Sequence, residues 1–255
     1  MVRPLQGRRL AAIETEDMSL RFSSIGQASD RGLVRGENQD ALRVDPGLEL
    51  LLVADGMGGH AGGADASRIA ADTALTAMRD DAATAYDALL AAHAAVIAAA
   101  EDGRGALGMG TTCVVAWPCP EGLGVAWVGD SRTYRMHANH LEQLTRDHSE
   151  VQLLLDAGVL SREQAARHPA RHMLARAIGI GELSRGEVDV RTVPLAPGDR
   201  VLLCSDGLNG ELDDARIAGV LADEPEDQPA AEALIEAARD TGGHDNVTVI
   251  VATAA

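Results

Sequence analysis

The 255-residue chain is 46% hydrophobic, enough to bury one large core or two small ones, and its net charge of −17 excludes nucleic acid and anionic membrane as natural partners. Aromatic residues make up only 2%, so alanine, valine and leucine must fill the interior. Cys113, Cys119 and Cys204 have neither zinc nor redox spacing and no secretory leader precedes them, which points to a reduced, cytoplasmic protein.

Residues 1–18 mix Arg3, Arg8 and Arg9 with Glu14, Glu16 and Asp17 and read as a flexible leader. Beyond them, strand-like runs are expected at about 20–28, 41–44, 48–54, 111–117, 123–129, 132–137, 188–193, 200–204 and 246–252. Helices are expected at about 63–80, 84–101, 149–157, 161–167, 213–222 and 229–240. The Ala-rich stretch from Ala82 to Ala100 contains Asp87 and His93 and reads as a packed helix, so no membrane insertion is expected. Short turns at Pro118–Gly122 and Gly129–Ser131 favour antiparallel hairpins over βαβ crossovers. The pattern alone gives an α+β fold, with no internal repeat and no second domain.

Five separated motifs place a carboxylate beside glycine or at a strand end: Arg35-Gly36-Glu37-Asn38-Gln39-Asp40, Asp55-Gly56-Met57-Gly58-Gly59-His60, Gly129-Asp130-Ser131-Arg132, Ser205-Asp206-Gly207 and His244-Asp245-Asn246. Asp55, Asp130 and Asp206 end apolar runs, and Asp245 opens one. Carboxylates at the ends of buried strands are costly unless a positive charge sits among them. In the absence of a cysteine or histidine cluster, the group that fits is a hard divalent cation held by oxygen.

These motifs, with Gly110-Thr111-Thr112 between them, occur in an order that closely resembles the bacterial PP2C-type (PPM) metal-dependent protein serine/threonine phosphatases. The resemblance runs from about Ser29 to Val251. It implies a four-layer α/β/β/α sandwich, with two stacked antiparallel sheets flanked by helices and the site at one end. One catalytic domain is expected over residues 19–255, with a small helical flap at about 146–181.

The activity implied is hydrolysis of phosphoserine and phosphothreonine in proteins by a metal-bridged hydroxide that attacks phosphorus directly, opposing a bacterial Ser/Thr kinase. Two Mn²⁺ or Mg²⁺ ions are expected, with a third, weaker one. Asp55 bridges the pair, the carbonyl of Gly56 contributes, and Asp206 and Asp245 complete the first ion's protein ligands. Arg35 grips the phosphate, since a guanidinium can hold two of its oxygens. Asp40 supports the second metal and Asp130 the third.

Some positions depart from the family pattern. Met57 stands where eukaryotic relatives carry histidine, and His60 is an alternative acid or a helix-entry residue. Gln39 stands where many have glutamate, and Gly210, beside Glu211, where many have a further carboxylate. Arg132 is expected to buttress the aspartates by ion pairing. In the flap, His148, His168, Arg171, His172 and Arg176 are expected to pair with Asp147, Glu150 and Glu163 on the surface. The competing readings are a catalytically weak PP2C-like binding module, or a phosphatase dedicated to one regulatory phosphoprotein.

Overall fold

The computed structural model describes residues 21–58, 61–80 and 83–255, so the leader expected at 1–18 and His60 lie outside the described residues. Strands β1 (Phe22–Asp30), β2 (Asp40–Asp45) and β3 (Leu50–Met57) precede helices α1 (Ala61–Met78) and α2 (Ala85–Glu101). Then come β4 (Gly110–Thr111), β5 (Cys113–Cys119), β6 (Gly122–Val128), β7 (Arg132–His137) and β8 (His140–Gln143). Short helices α3 (Glu150–Asp156) and α4 (Arg162–Ala166) lead to β9 (Asp189–Val193) and β10 (Arg200–Cys204). Helices α5 (Asp206–Asn209), α6 (Asp214–Asp223) and α7 (Asp227–Thr241) precede the last strand, β11 (Val247–Ala254).

Two antiparallel sheets result, one ordered β1-β11-β10-β7-β8 and the other β2-β3-β5-β6-β9 with β4 on β3. Period-two alternation assigns each apolar run to two interfaces. Along β3, Leu50, Leu52 and Ala54 pack with α1 and α2, while Leu51 and Val53 face the other sheet. Along β11, Val247, Val249 and Val251 pack under α5, α6 and α7, while Ile250 and Ala252 face inward. The layers are therefore helix, sheet, sheet, helix. Burial on both faces explains why these strands read as unbroken apolar runs.

Local signals set the helix starts. Thr84 and Asp87 form a reciprocal capping box at α2, Ser161 and Gln164 form another at α4, and Asp213 caps α6. One expected hairpin is absent. β5 and β6 pair as predicted, with Cys119 opposite Gly122, but Gly129–Ser131 carries the chain from one sheet to the other. Gly129 makes this crossing at φ +110°, against Thr112, where a Cβ would come within 2.5 Å of the threonine side chain. Asp130 thereby lands at the end of the sandwich.

Between Arg146 and Gly181 the chain folds over that same end. A bridge between Ser149 and Leu174 closes the excursion, and the Ala175 N–H donates to the His148 carbonyl at 2.8 Å. Among the described residues, no helix is long and apolar enough to cross a membrane.

Candidate metal and phosphate site

Asp55 leaves the end of β3 held from behind by two hydroxyls. Its N–H donates to Thr112 Oγ1 at 2.9 Å, and its carbonyl accepts from Thr111 Oγ1 at 2.8 Å and from the Thr112 N–H at 2.9 Å. Thr112 Oγ1 also lies 2.7 Å from Ser131 Oγ, next to Asp130. The threonine pair therefore fixes the backbone that carries the carboxylate.

Gly56 has a steric role that spacing did not reveal. A Cβ there would stand 2.1 Å from the Gly63 carbonyl oxygen and 2.5 Å from that of Gln39. Gly207 obeys the same constraint, since a Cβ would meet the Asn246 carbonyl at 1.9 Å. Both glycines let two backbones touch directly behind an aspartate, drawing β3 to the 35–39 loop and the start of α5 to the start of β11.

Asn246 ties Asp245 to the arginine loop. Its Oδ1 accepts from the Gln39 N–H at 2.8 Å, and its Nδ2 donates to the Arg31 and Glu37 carbonyls, each at 2.9 Å. Asp40 sits opposite Asp55 in the β2–β3 register. Ser205 Oγ donates to Asp40 Oδ2 at 2.8 Å, while Oδ1 is buried without a hydrogen-bond partner. Neither the organising role of Asn246 nor that of Ser205 was assigned from sequence; the signal was their adjacency to Asp245 and Asp206.

The cations do not all sit where sequence placed them. Arg35 donates to Asp245 Oδ2 at 2.6 Å, which holds its guanidinium above its ordinary pKa. Arg132 bonds Asp147, at 2.6 Å at the closest, and not the cleft aspartates; it acts on Asp130 only through space. His172 also departs from the expected surface pairing, since its Nδ1 lies 3.5 Å from Asp206 Oδ2. His148 is buried, accepting from the Gly129 N–H at 3.2 Å and facing Asp189, and Arg176 donates to the Glu187 carbonyl. Glu211 accepts from both the backbone and the ring of His244, so it is directed at that histidine. The His172 contact depends on the path of the flap, which no local pattern encodes.

Arg35, Asp55, Asp130, Asp206 and Asp245 line one cleft of about 1290 Å³, together with Gly56, Gln39, Arg171 and His172. Burial pushes the Asp55 carboxyl well above the ordinary range, and the charges of Asp40, Asp206 and Asp130 add to this. Burial and Asp206 raise Asp130 likewise, and burial takes Asp40 up to about 7. Burial works to raise Asp206 too, yet hydrogen bonds from His172 and Asp55 and the charges of His172 and Arg35 bring it below its usual value. Among the described residues, no three such side chains stand together as a ready-made ligand cage. The donors are nonetheless all oxygen, negatively charged and crowded, and one buried carboxylate oxygen has no partner. A hard divalent cation fits that chemistry.

The model of the protein phosphatase 2C family matches residues 34–246. The chain is 40% identical over 230 residues to the serine/threonine protein phosphatase PstP of Mycobacterium tuberculosis, covering 88% of this chain and 43% of that protein. It thus spans less than half the length of that relative. The serine/threonine phosphatase stp of Listeria welshimeri is 35% identical over 235 residues, covering 88% of this chain and 92% of that one. Among solved structures, M. tuberculosis PstP/Ppp superimposes with a TM-score of 0.83 at 36% identity, over 92% of this chain and 99% of that chain. The catalytic domain of PstP in complex with two manganese ions gives 0.79 at 37%, over 92% and 98%. The matched span takes in every motif around the cleft from Arg35 to Asp245, and the chain belongs to the protein phosphatase 2C family.

Proposed function

We propose that this chain hydrolyses phosphoserine and phosphothreonine in proteins, opposing a bacterial Ser/Thr kinase in a reducing cytoplasm. One observation carries the reading: Arg35 and the carboxylates of Asp55, Asp206 and Asp245 face a single cleft. Three free cysteines, two of them buried, support the reducing setting. Divalent Mn²⁺ or Mg²⁺, when bound, supplies an acidified water and positive charge opposite the phosphate oxygens. Asp55, Asp206, Asp245 and the Gly56 carbonyl are the groups that would hold it, and Asp40 and Asp130 would support further ions.

Arg35 presents two N–H donors to the phosphate and orients it. Its pairing with Asp245 keeps the guanidinium among the groups that line the cleft. Water attacks phosphorus in line, the P–O bond to the side chain breaks, and the serine or threonine hydroxyl and inorganic phosphate leave.

The test is phosphothreonine-peptide hydrolysis as a function of Mn²⁺ concentration, in the native chain and in Asp206→Asn. Manganese-dependent turnover that collapses in the variant supports the reading. Absence of turnover in folded, metal-saturated native chain moves the assignment to a PP2C-like binding module. Equal activity in both overturns the role given to Asp206.

A further inference from the structure

His93 is a buried titratable side chain on α2, 8% exposed and outside the metal and phosphate site. Its Nδ1 accepts from the Gly179 N–H at 3.0 Å, where the chain leaves the flap. One helical turn on, Val96 closes the same contact, since a Cβ on Gly179 would stand 2.4 Å from its Cγ1. Gly179 meets α2 at φ +85°, a conformation that glycine adopts freely.

The residues on either side of Gly179 grip β4. Ile178 and Thr111 exchange two backbone hydrogen bonds, at 2.8 and 3.0 Å. The Ile180 side chain lies against Gly110, where a Cβ would come within 2.6 Å of it. β4 in turn pairs with the end of β3, Thr111 opposite Gly56 and Gly110 opposite Met57, and Thr111 Oγ1 donates to the Asp55 carbonyl. A continuous run of packed backbone therefore joins α2 to Asp55 and Gly56. The same stretch roots the flap that carries Arg171 and His172 to the cleft lining.

An imidazole accepts at Nδ1 only while that nitrogen holds a lone pair, so this contact requires the neutral ring with its proton on Nε2. Burial favours that form and lowers the pKa of His93, while the Gly181 backbone and Glu187 pull the other way. Glu187 is the charged group that acts on the ring; α1 and β6 share with α2 an apolar cluster that includes Ala66, Ala70, Ala126 and Val128. A second proton would set an N–H against the Gly179 N–H and leave a charge in a nearly closed space.

We infer that His93 is a positioning residue: its neutral ring clips the root of the flap to α2, so holding β4 behind Asp55 and Gly56, and acid opens the clip. The consequence for turnover rests on the phosphatase reading; the clip itself does not.

The experiment follows amide hydrogen exchange of Gly179 by NMR in the full chain with Mg²⁺, at pH 5.5 and 7.5, corrected for intrinsic rates. Ile250, buried in β11, is the internal control. The chains are wild type, His93→Leu and His93→Asn, whose side-chain carbonyl can take the place of Nδ1 and never charges. A ring with the ordinary value of 6.5 when free, and held neutral when clipped, makes opening about tenfold easier at pH 5.5 than at 7.5. Gly179 protection is therefore expected to fall about tenfold in wild type, to stay constant in His93→Asn and to be low at both pH values in His93→Leu, with Ile250 unchanged. In parallel, kcat/KM on a phosphothreonine peptide at saturating Mn²⁺ is expected to drop about three- to tenfold further between pH 7.5 and 5.5 in wild type than in His93→Asn. That comparison cancels every titration the two chains share, and it carries the test should His93→Leu fail to fold. Wild-type protection that ignores pH, an equal fall in His93→Asn, or full protection in His93→Leu overturns the clip. The expected exchange with identical pH profiles of kcat/KM in wild type and His93→Asn overturns the positioning role. A wild type inactive at both pH values removes the phosphatase reading and the positioning role with it, while exchange still decides the clip.

Discussion

Thr112 shows how much of the candidate site is held by groups that never face the cleft. Its hydroxyl serves the Asp55 N–H and Ser131 at once, in a fully enclosed position. Thr112→Val leaves that N–H with no partner, and urea denaturation is expected to show a loss of about 1–3 kcal/mol. Arg35 is the opposite kind of residue, exposed and bonded to Asp245. Arg35→Ala is expected to lower kcat/KM on phosphothreonine peptides by about 10- to 100-fold, since it removes a charge-assisted grip on the phosphate. The sequence made the Asp-Gly pairs visible but not the backbone contacts that their glycines allow. Direct backbone contact at Gly56 and Gly207 is a tertiary fact, invisible in a linear pattern, whereas the carboxylate at each strand end is local.

Among the elements, the apolar runs of β3, β10 and β11 were legible because burial on both faces leaves no ambiguity about where a strand lies. β8 and α5 were not: four residues each are too short to show a period. The Gly129–Ser131 turn was misread because a two-sheet crossing and a hairpin need the same residue types; only the partner sheet distinguishes them. At the end of β10 away from Asp206, Arg200 joins three elements. It bonds Asp227 at 2.8 Å and the Leu221 carbonyl at 2.6 Å, both nearly sealed from water, and the half-buried Glu224 carbonyl at 2.7 Å. Removing one member of such a pair strands the other, so Arg200→Ala is expected to cost about 3–5 kcal/mol of stability. Mn²⁺ binding by the fraction that remains folded, followed by calorimetry, is expected to be unchanged.

For the whole molecule, the crowded carboxyls set a pH dependence opposite to that of most proteins. Asp40 rises from the ordinary 3.8 to about 7 on folding, so the folded chain binds more protons than the unfolded one across that interval. Stability then falls as pH rises through it. Asp55 and Asp130 act in the same direction, while His93 and His148, lowered by burial, act against it. The decisive comparison is therefore between wild type and Asp40→Asn in chelator. The drop in melting temperature from pH 5 to pH 7.5 is expected to be smaller in the variant, and saturating Mn²⁺ is expected to remove the drop in the wild type. An equal drop in both chains would take Asp40 out of this account.

The bridge between Ser149 and Leu174 gives the molecule one more property. Everything between those residues starts and ends at nearly one point, and the anchors on either side are separate: His148 on Gly129, and Ile178 on Thr111. The intervening 150–173 stretch is thus a cassette clipped onto a fixed frame. It can lengthen, shorten or change sequence without moving the backbones of Asp55 or Asp130. Within it, Arg171 and His172 are the exceptions, since they line the cleft and His172 lies 3.5 Å from Asp206, so a change at either reaches the site while the frame stays in place. Transplanting the same stretch between relatives is then expected to leave the Asp55 and Asp130 backbones in place while exchanging the two side chains, Arg171 and His172, that it sends into the cleft.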